Sequence, residues 1–179
     1  MDLNLILVCV VIVVALFFSY TNGFHDAANA IATSVSTRAW TPRAALLMAA
    51  AMNIIGAMMG TAVAKTVGSG IIEIKGYAES TTPEMQQKGL VIILAALLGA
   101  CIWNLITWWF GLPSSSSHAL IGGMVGAGLL SGTTVFWECI VDHVIIPMFA
   151  SPIIGFIIGY IAMKVVLWLL RKAQYHRTM

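Results

Sequence analysis

A chain of 179 residues that is 60% hydrophobic, only 9% charged and of mean hydropathy +0.94 lies far from soluble domains, which are about half apolar and a quarter charged. Its formal net charge of +2 is small and scattered, with Arg171-Lys172 the longest basic run, so nucleic acid is excluded as a partner. Cys9, Cys101 and Cys139 stand singly, without C-x-x-C spacing, and indicate neither a zinc site nor a disulfide framework.

The composition predicts an all-α integral membrane protein. A hydrocarbon core of about 30 Å takes about 20 mainly apolar residues per helical crossing, and five stretches qualify: about Leu3 to Val35, Ala44 to Ala64, Leu90 to Phe110, His118 to Phe136 and Ile145 to Leu170. The longest of these must tilt, break or protrude. The first is expected to break at Asn22-Gly23, so that segments of the fold are broken or re-entrant. Ala28-Asn29-Ala30 has the look of a cleavage site behind an apolar segment. Met1-Asp2-Leu3-Asn4 lacks a basic n-region, however, so the first helix reads as retained.

Lysine and arginine in short loops favour the cytoplasmic side. Arg38 and Arg43 flank the first loop, and Arg171, Lys172 and Arg177 crowd the far end; both groups belong inside. The loop holding Lys65, Lys75 and Lys88 is balanced by Glu73, Glu79 and Glu84, and the turn from Glu138 to His143 is acidic; both fit outside. Five crossings, with the N-terminus outside and the C-terminus cytoplasmic, satisfy this alternation in the inner (plasma) membrane. An odd-helix unit enters the bilayer upside down when repeated in tandem, which is how inverted-repeat transporters build a site between two halves. Residues 1–170 read as one such half and 171–179 as the start of a cytoplasmic loop or tail, with the second half on further chain or on another molecule.

Two polar islands interrupt the apolar pattern. In the first, N-G-F-H-D-A-A-N-A-I-A from Asn22, a lipid-facing Asp26 would cost at least a few kcal/mol, so an interior ion site is the default reading. Asn29 lies three residues on and Thr33 one turn further, on the same helical face. A carboxylate, an amide oxygen and carbonyls freed at Asn22-Gly23 would make a hard-oxygen site for Na⁺ or a proton. The alternative is that Asp26 caps a helix. His25, pointing off that face, either relays protons or packs.

The second island is G-L-P-S-S-S-S-H from Gly111. Proline and serine suit a helix start, and the helix opening into Ala119 would present unpaired N–H groups to an anion, with hydroxyls from Ser114, Ser115, Ser116 and Ser117 as further donors. The alternative is a polar surface turn. Gly122, Gly123, Gly126 and Gly128, like Gly56 and Gly60, read as packing surfaces.

Together, G-F-H-D-A-A-N-A-I-A (Gly23 to Ala32) and W-N-L-I-T-W-W-F-G-L-P-S-S-S-S-H-A-L-I-G (Trp103 to Gly122), with S-P-I-I-G from Ser151, resemble the bacterial inorganic phosphate transporter (Pit) family. The resemblance implies a low-affinity phosphate symporter driven by protons or Na⁺, carrying free phosphate or its neutral complex with a divalent metal. It implies a cation-coupling role for Asp26 and Asn29, with Asn22 and His25 beside them. Phosphate would meet Ser114 to Ser117, with His118 and Thr33 adjacent. His25, where other members have asparagine, is similar to the proton-coupled type. Members carry a second, inverted copy of both motifs, so the expectation here is a fragment or a half-transporter that pairs with another copy, as a homo-oligomer. Other classes are a passive channel, a structural subunit, and an intramembrane serine hydrolase using Ser117 or a neighbour with His118 and Asp26; adjacent serine and histidine on a helix diverge, which disfavours the last.

Overall fold

The computed structural model of the chain describes residues 3–59 and 70–171. In chain order its helices are α1 Leu3–Ser36, α2 Pro42–Met59, the one-turn α3 Lys75–Ala78, α4 Pro83–Trp109, α5 Ser116–Ser131 and α6 Trp137–Leu170. Among the described residues four of these, α1, α2, α4 and α6, are long and apolar enough to cross a membrane. Two of the four share a start signal. Thr41-Pro42 and Thr82-Pro83 place a capping residue before a proline whose missing N–H costs nothing at the first helical position. The Ala44 N–H donates to Thr41 Oγ1 at 3.4 Å.

Two expectations are corrected. α1 runs unbroken through Asn22-Gly23. One glycine inside a helix costs about 1 kcal/mol, whereas backbone groups released into hydrocarbon cost several kcal/mol each. The Thr21 hydroxyl also donates within the helix, to the Phe18 carbonyl at 2.8 Å. Any oxygen ligands at this level must therefore come from side chains, not from freed carbonyls. The helix expected over His118 to Phe136 is also shorter, spanning Ser116–Ser131. At 1.5 Å per residue it is about 24 Å long, below the thickness of the hydrocarbon core. Gly132 ends it with φ 71°, allowing the Thr133 N–H to reach the Gly128 carbonyl at 2.9 Å. The chain then pairs with residues just before α3: Glu73 N–H donates to Thr134 O at 3.0 Å and Phe136 N–H to Ile71 O at 2.9 Å.

Residues up to Trp137 form one compact unit built around α4. The buried stripe of α4, through Ile92, Ala96, Ala100, Asn104 and Thr107, recurs every three or four residues. α1 lies parallel to it: Val8 borders a cavity with Gly89 and Leu90, while His25 meets Thr107. α5 returns antiparallel, after α4 is closed by Leu112 N–H donating to Thr107 O at 2.8 Å and Gly111 N–H to Trp108 O at 3.0 Å. A β-carbon on Gly123 would press on the Ala96 carbonyl, so the two backbones touch directly there. Gly128 is also tightly packed, a β-carbon there meeting the Ile72 side chain, but the other predicted packing glycines differ. Gly56, Gly122 and Gly126 face open space, and Gly60 lies outside the described residues.

α6 belongs to the second unit almost entirely. It widens into a π turn over Val141–Ile145 immediately before Pro147, with Ile146 N–H donating to Val141 O. Proline offers no N–H to the preceding turn and crowds its carbonyl, and the wider turn accommodates both defects. The remainder is mainly apolar, with Lys164 the charged residue between Ile146 and Leu170. Lys65 and residues 172–179, which enter the predicted orientation, lie outside the described residues.

Candidate functional site

The two islands, far apart in sequence, meet at the junction of α1, α4 and α5. Ser116 Oγ donates to Asp26 Oδ1 at 3.4 Å. Ser116 is only 1% exposed, held at the first position of α5 by its neighbour Ser115, whose hydroxyl accepts the His118 N–H at 3.4 Å as an N-cap. The same Ser115 hydroxyl lies 2.8 Å from His118 Nδ1. The first N–H groups of a helix lack intrahelical partners and carry partial positive charge, so this end of α5 favours an anion. Asp26 is thus a carboxylate aimed at an anion-favouring helix tip. That end of the helix therefore stabilises the Asp26 carboxylate itself, and any second anion arriving there would share the tip with it.

Next to Asp26 on α1, His25 is buried, and its Nε2 lies 3.3 Å from Thr107 Oγ1. The Thr107 hydroxyl has one proton, and the Trp103 and Asn104 carbonyls compete for it at 3.0 and 3.1 Å. It therefore accepts from His25 Nε2–H. Nδ1 has no partner among the described residues; neither has Asn22 Oδ1, nor the amide oxygen and nitrogen of Asn104. Asn104 is fully buried.

The predicted residues separate into two groups. Asp26, His25, Asn22 and Ser116 converge, as do Ser115 and His118 at the α5 cap. Ser114, Ser115 and His118 line a groove of about 400 Å³ with Trp103, Gly99 and Gly123. Ser117 is exposed. Asn29 and Thr33 are exposed too. Phe24 packs edge-on to Trp108, so α4 ends level with the Phe24–Ala28 turn and α1 continues beyond the end of α4. Asn29 still borders a smaller cavity of about 230 Å³, with His25, Gly111 and Pro113. Thr33 offers its carbonyl to Thr37 Oγ1 at 2.8 Å, within α1's last turn. His25, expected to point off the active face, is the residue that joins α1 to α4.

Sequence reasoning missed Asn104 and Thr107. Both sit inside C-I-W-N-L-I-T-W-W, where the only trace is an amide and a hydroxyl three apart on one face of an otherwise apolar helix. The hydrolase arrangement is present only in part: His118 Nδ1 lies 2.8 Å from the hydroxyl of Ser115, a neighbour of Ser117, but Asp26, the expected orienter, bonds Ser116 and not His118.

The chain is similar to several known proteins. The chain is 57% identical to a probable low-affinity inorganic phosphate transporter of Streptomyces halstedii, over 96% of this chain and 76% of that protein. It is 43% identical to one from Bacillus subtilis (strain 168), over 99% of this chain and 51% of the relative. With the low-affinity inorganic phosphate transporter PitA of Escherichia coli (strain K12) it shares 39% identity, over 88% of this chain and 31% of that one. The chain thus spans about half the length of the Bacillus relative and about a third of the Escherichia one. No solved structure matches it. These relatives are transporters, not enzymes. Residues 22–179, a stretch that opens at Asn22 and takes in both polar islands, match the phosphate transporter family, and this multi-pass membrane chain belongs to that family.

Proposed function

We propose that the chain works in low-affinity, cation-coupled uptake of inorganic phosphate across the inner (plasma) membrane. Phosphate is held at the start of α5 by Ser114 to Ser117 and the free N–H groups there, with His118 beside them. Asp26 and His25 take the coupling proton; Na⁺ is the alternative ion, held by Asp26 with Asn22 and Asn29. The single observation that supports the reading is the Ser116–Asp26 hydrogen bond at 3.4 Å, which joins the two polar islands.

Coupling follows from charge. A phosphate monoanion bonded to Ser116 would stand about 6 Å from the Asp26 carboxylate. At an effective dielectric of about 20 the two repel by about 3 kcal/mol, which is about a hundredfold in affinity. Protonation of Asp26, or a cation on it, removes that repulsion, so anion and cation load together. A neutral complex of phosphate with a divalent metal would reduce the same repulsion and is the second form of substrate.

Topology and assembly complete the proposal. The hairpin of α4 and α5, although α5 is short, returns the chain to the level of α3, as the Glu73 to Thr134 bond supports. Counting that return as a pass gives five, with the N-terminus outside and the C-terminus cytoplasmic. Residues 1–170 then form one half of an inverted-repeat transporter. Its second half comes from further chain or from another copy, consistent with the chain's partial coverage of the Bacillus and Escherichia relatives.

Asp26→Asn in proteoliposomes holding the transporter should abolish concentrative phosphate uptake while the protein still folds and inserts. Uptake at the unsubstituted level would remove Asp26 from the mechanism.

A further inference from the structure

We infer that Asn104 is the group through which phosphate and the coupling cation bind cooperatively, its amide oxygen facing the cation and its amide nitrogen the oxyanion. The inference rests on the transport reading above and adds to it a residue on α4, a helix that reading leaves without a role.

Asn104 is fully buried, and neither its Oδ1 nor its Nδ2 has a partner among the described residues. A native interior rarely leaves a whole amide unbonded, because each lost partner costs the desolvation of that group. The other unpartnered groups nearby are placed by register. His25 meets Thr107, and α1 and α4 run parallel, so Asn22 and Asn104, each three residues earlier, come to the same level. Asn22 Oδ1 and His25 Nδ1 are likewise unpartnered. Asp26 and Ser116 lie one turn above Asn22. Unpartnered polar groups from α1 and α4 thus share one level, with the Asp26–Ser116 pair one turn above, and among the described residues Asn104 is the one whose acceptor and donor nitrogen are both left without a partner.

That dual character defines the role. Asp26 and the oxygen of Asn22 only accept, and suit a proton or Na⁺. The helix tip with Ser116 favours the anion. A neutral amide can accept from, or ligate, the first and donate to the second without adding charge. It is a positioning residue for both, so its loss should uncouple them and not merely weaken one. The titratable groups around it are His25 and Asp26 from α1 and His118 from α5; between Gly89 and Trp109, α4 adds only Cys101.

The test is Asn104→Leu in the purified full chain in nanodiscs, with Asn104→Gln as the conservative control. Thermal unfolding and inorganic phosphate binding are followed across pH and Na⁺ concentration. Wild-type phosphate affinity should rise with the coupling cation. In Asn104→Leu phosphate affinity should fall about ten- to a hundredfold, the loss of one hydrogen bond to a charged group, and should no longer respond to the cation. The unfolding temperature without ligands should hold or rise, and Asn104→Gln should recover part of the cation response. A purely structural amide gives the opposite pattern: Asn104→Leu unfolds earlier and keeps the full cation dependence, which overturns the inference. A wild-type chain that ignores phosphate, but whose stability depends on the cation only while Asn104 is present, defeats the phosphate reading and keeps the cation contact. A wild-type chain indifferent to both defeats both.

Discussion

The hairpin of α4 and α5 carries a polar cluster at each end, and the two are built differently. Near α3, the Tyr77 hydroxyl lies 3.1 Å from Thr133 Oγ1, Thr133 Oγ1 lies 2.7 Å from Ser131 Oγ, and Ser131 Oγ donates to the Gly128 carbonyl at 3.0 Å. That chain of hydroxyls is closed. At the other end, Asp26, Ser116, His25 and Thr107 make two contacts of 3.3 and 3.4 Å, and Asn22, His25 and Asn104 each keep unpartnered atoms. A closed network rigidifies the fold, whereas an open one in a buried site is costly unless a ligand uses it. The first end clamps the hairpin; the second is built to receive something.

If that contrast is right, damage between the ends should disable both. Gly123 is the place, because a side chain there would be driven into the backbone carbonyl of Ala96, which cannot move aside as a flexible side chain could. Gly123→Val should separate α5 from α4 and cost upwards of about 1–3 kcal/mol. Monodisperse folded protein should be lost in detergent, and phosphate uptake with it. A well-folded Gly123→Val chain that transports normally would show that the two ends do not depend on the contact between these helices.

Ser116→Ala acts at the open end alone. It removes a nearly fully buried hydroxyl whose one partner among the described residues is the Asp26 carboxylate. We expect the half-saturation concentration for phosphate to rise about ten- to a hundredfold, the equivalent of about 1.5–3 kcal/mol, with little change in unfolding temperature. Ser115→Ala is the informative companion. Ser115 caps α5, so its loss should lower stability by about 1 kcal/mol as well as weakening phosphate. Equal effects of the two substitutions on stability would blur the distinction between cap and ligand.

Much of this was legible in the sequence because hydrocarbon is an unforgiving solvent. Apolar runs long enough to cross it announce α1, α2, α4 and α6, and an aspartate or a row of serines inside such a chain has few uses. The failures share a cause. The predicted break at Asn22-Gly23 took a local preference for a helical one, although a single glycine is cheap beside unsatisfied backbone in lipid. The grouping of Asn29 and Thr33 with Asp26 by helical face is a different matter: it stands along α1, and both residues are exposed where α4 has ended. Asn104 was passed over because one amide among tryptophans and leucines has no motif of its own. Its meaning comes from the parallel register with α1, a tertiary fact that no spacing within α4 contains.

The smallest effect is expected at the closed end, and it is the most direct check on the contrast. Tyr77 packs its ring against Gly89, carries Lys88 Nζ 5.6 Å from its centroid, and bonds Thr133 through its hydroxyl. Tyr77→Phe keeps the ring and removes only the hydroxyl, leaving Thr133 still bonded to Ser131. Because the remaining partners can close around the gap, the cost should be about 0.5–1.5 kcal/mol, seen as a modest fall in unfolding temperature. Phosphate affinity and its cation dependence should not change, since nothing at this end faces Asp26 or the start of α5. A Tyr77→Phe chain with altered coupling but unaltered stability would mean that the hydroxyl chain is itself part of the transport path, and that a satisfied network at one end of the hairpin cannot be read as mere clamping.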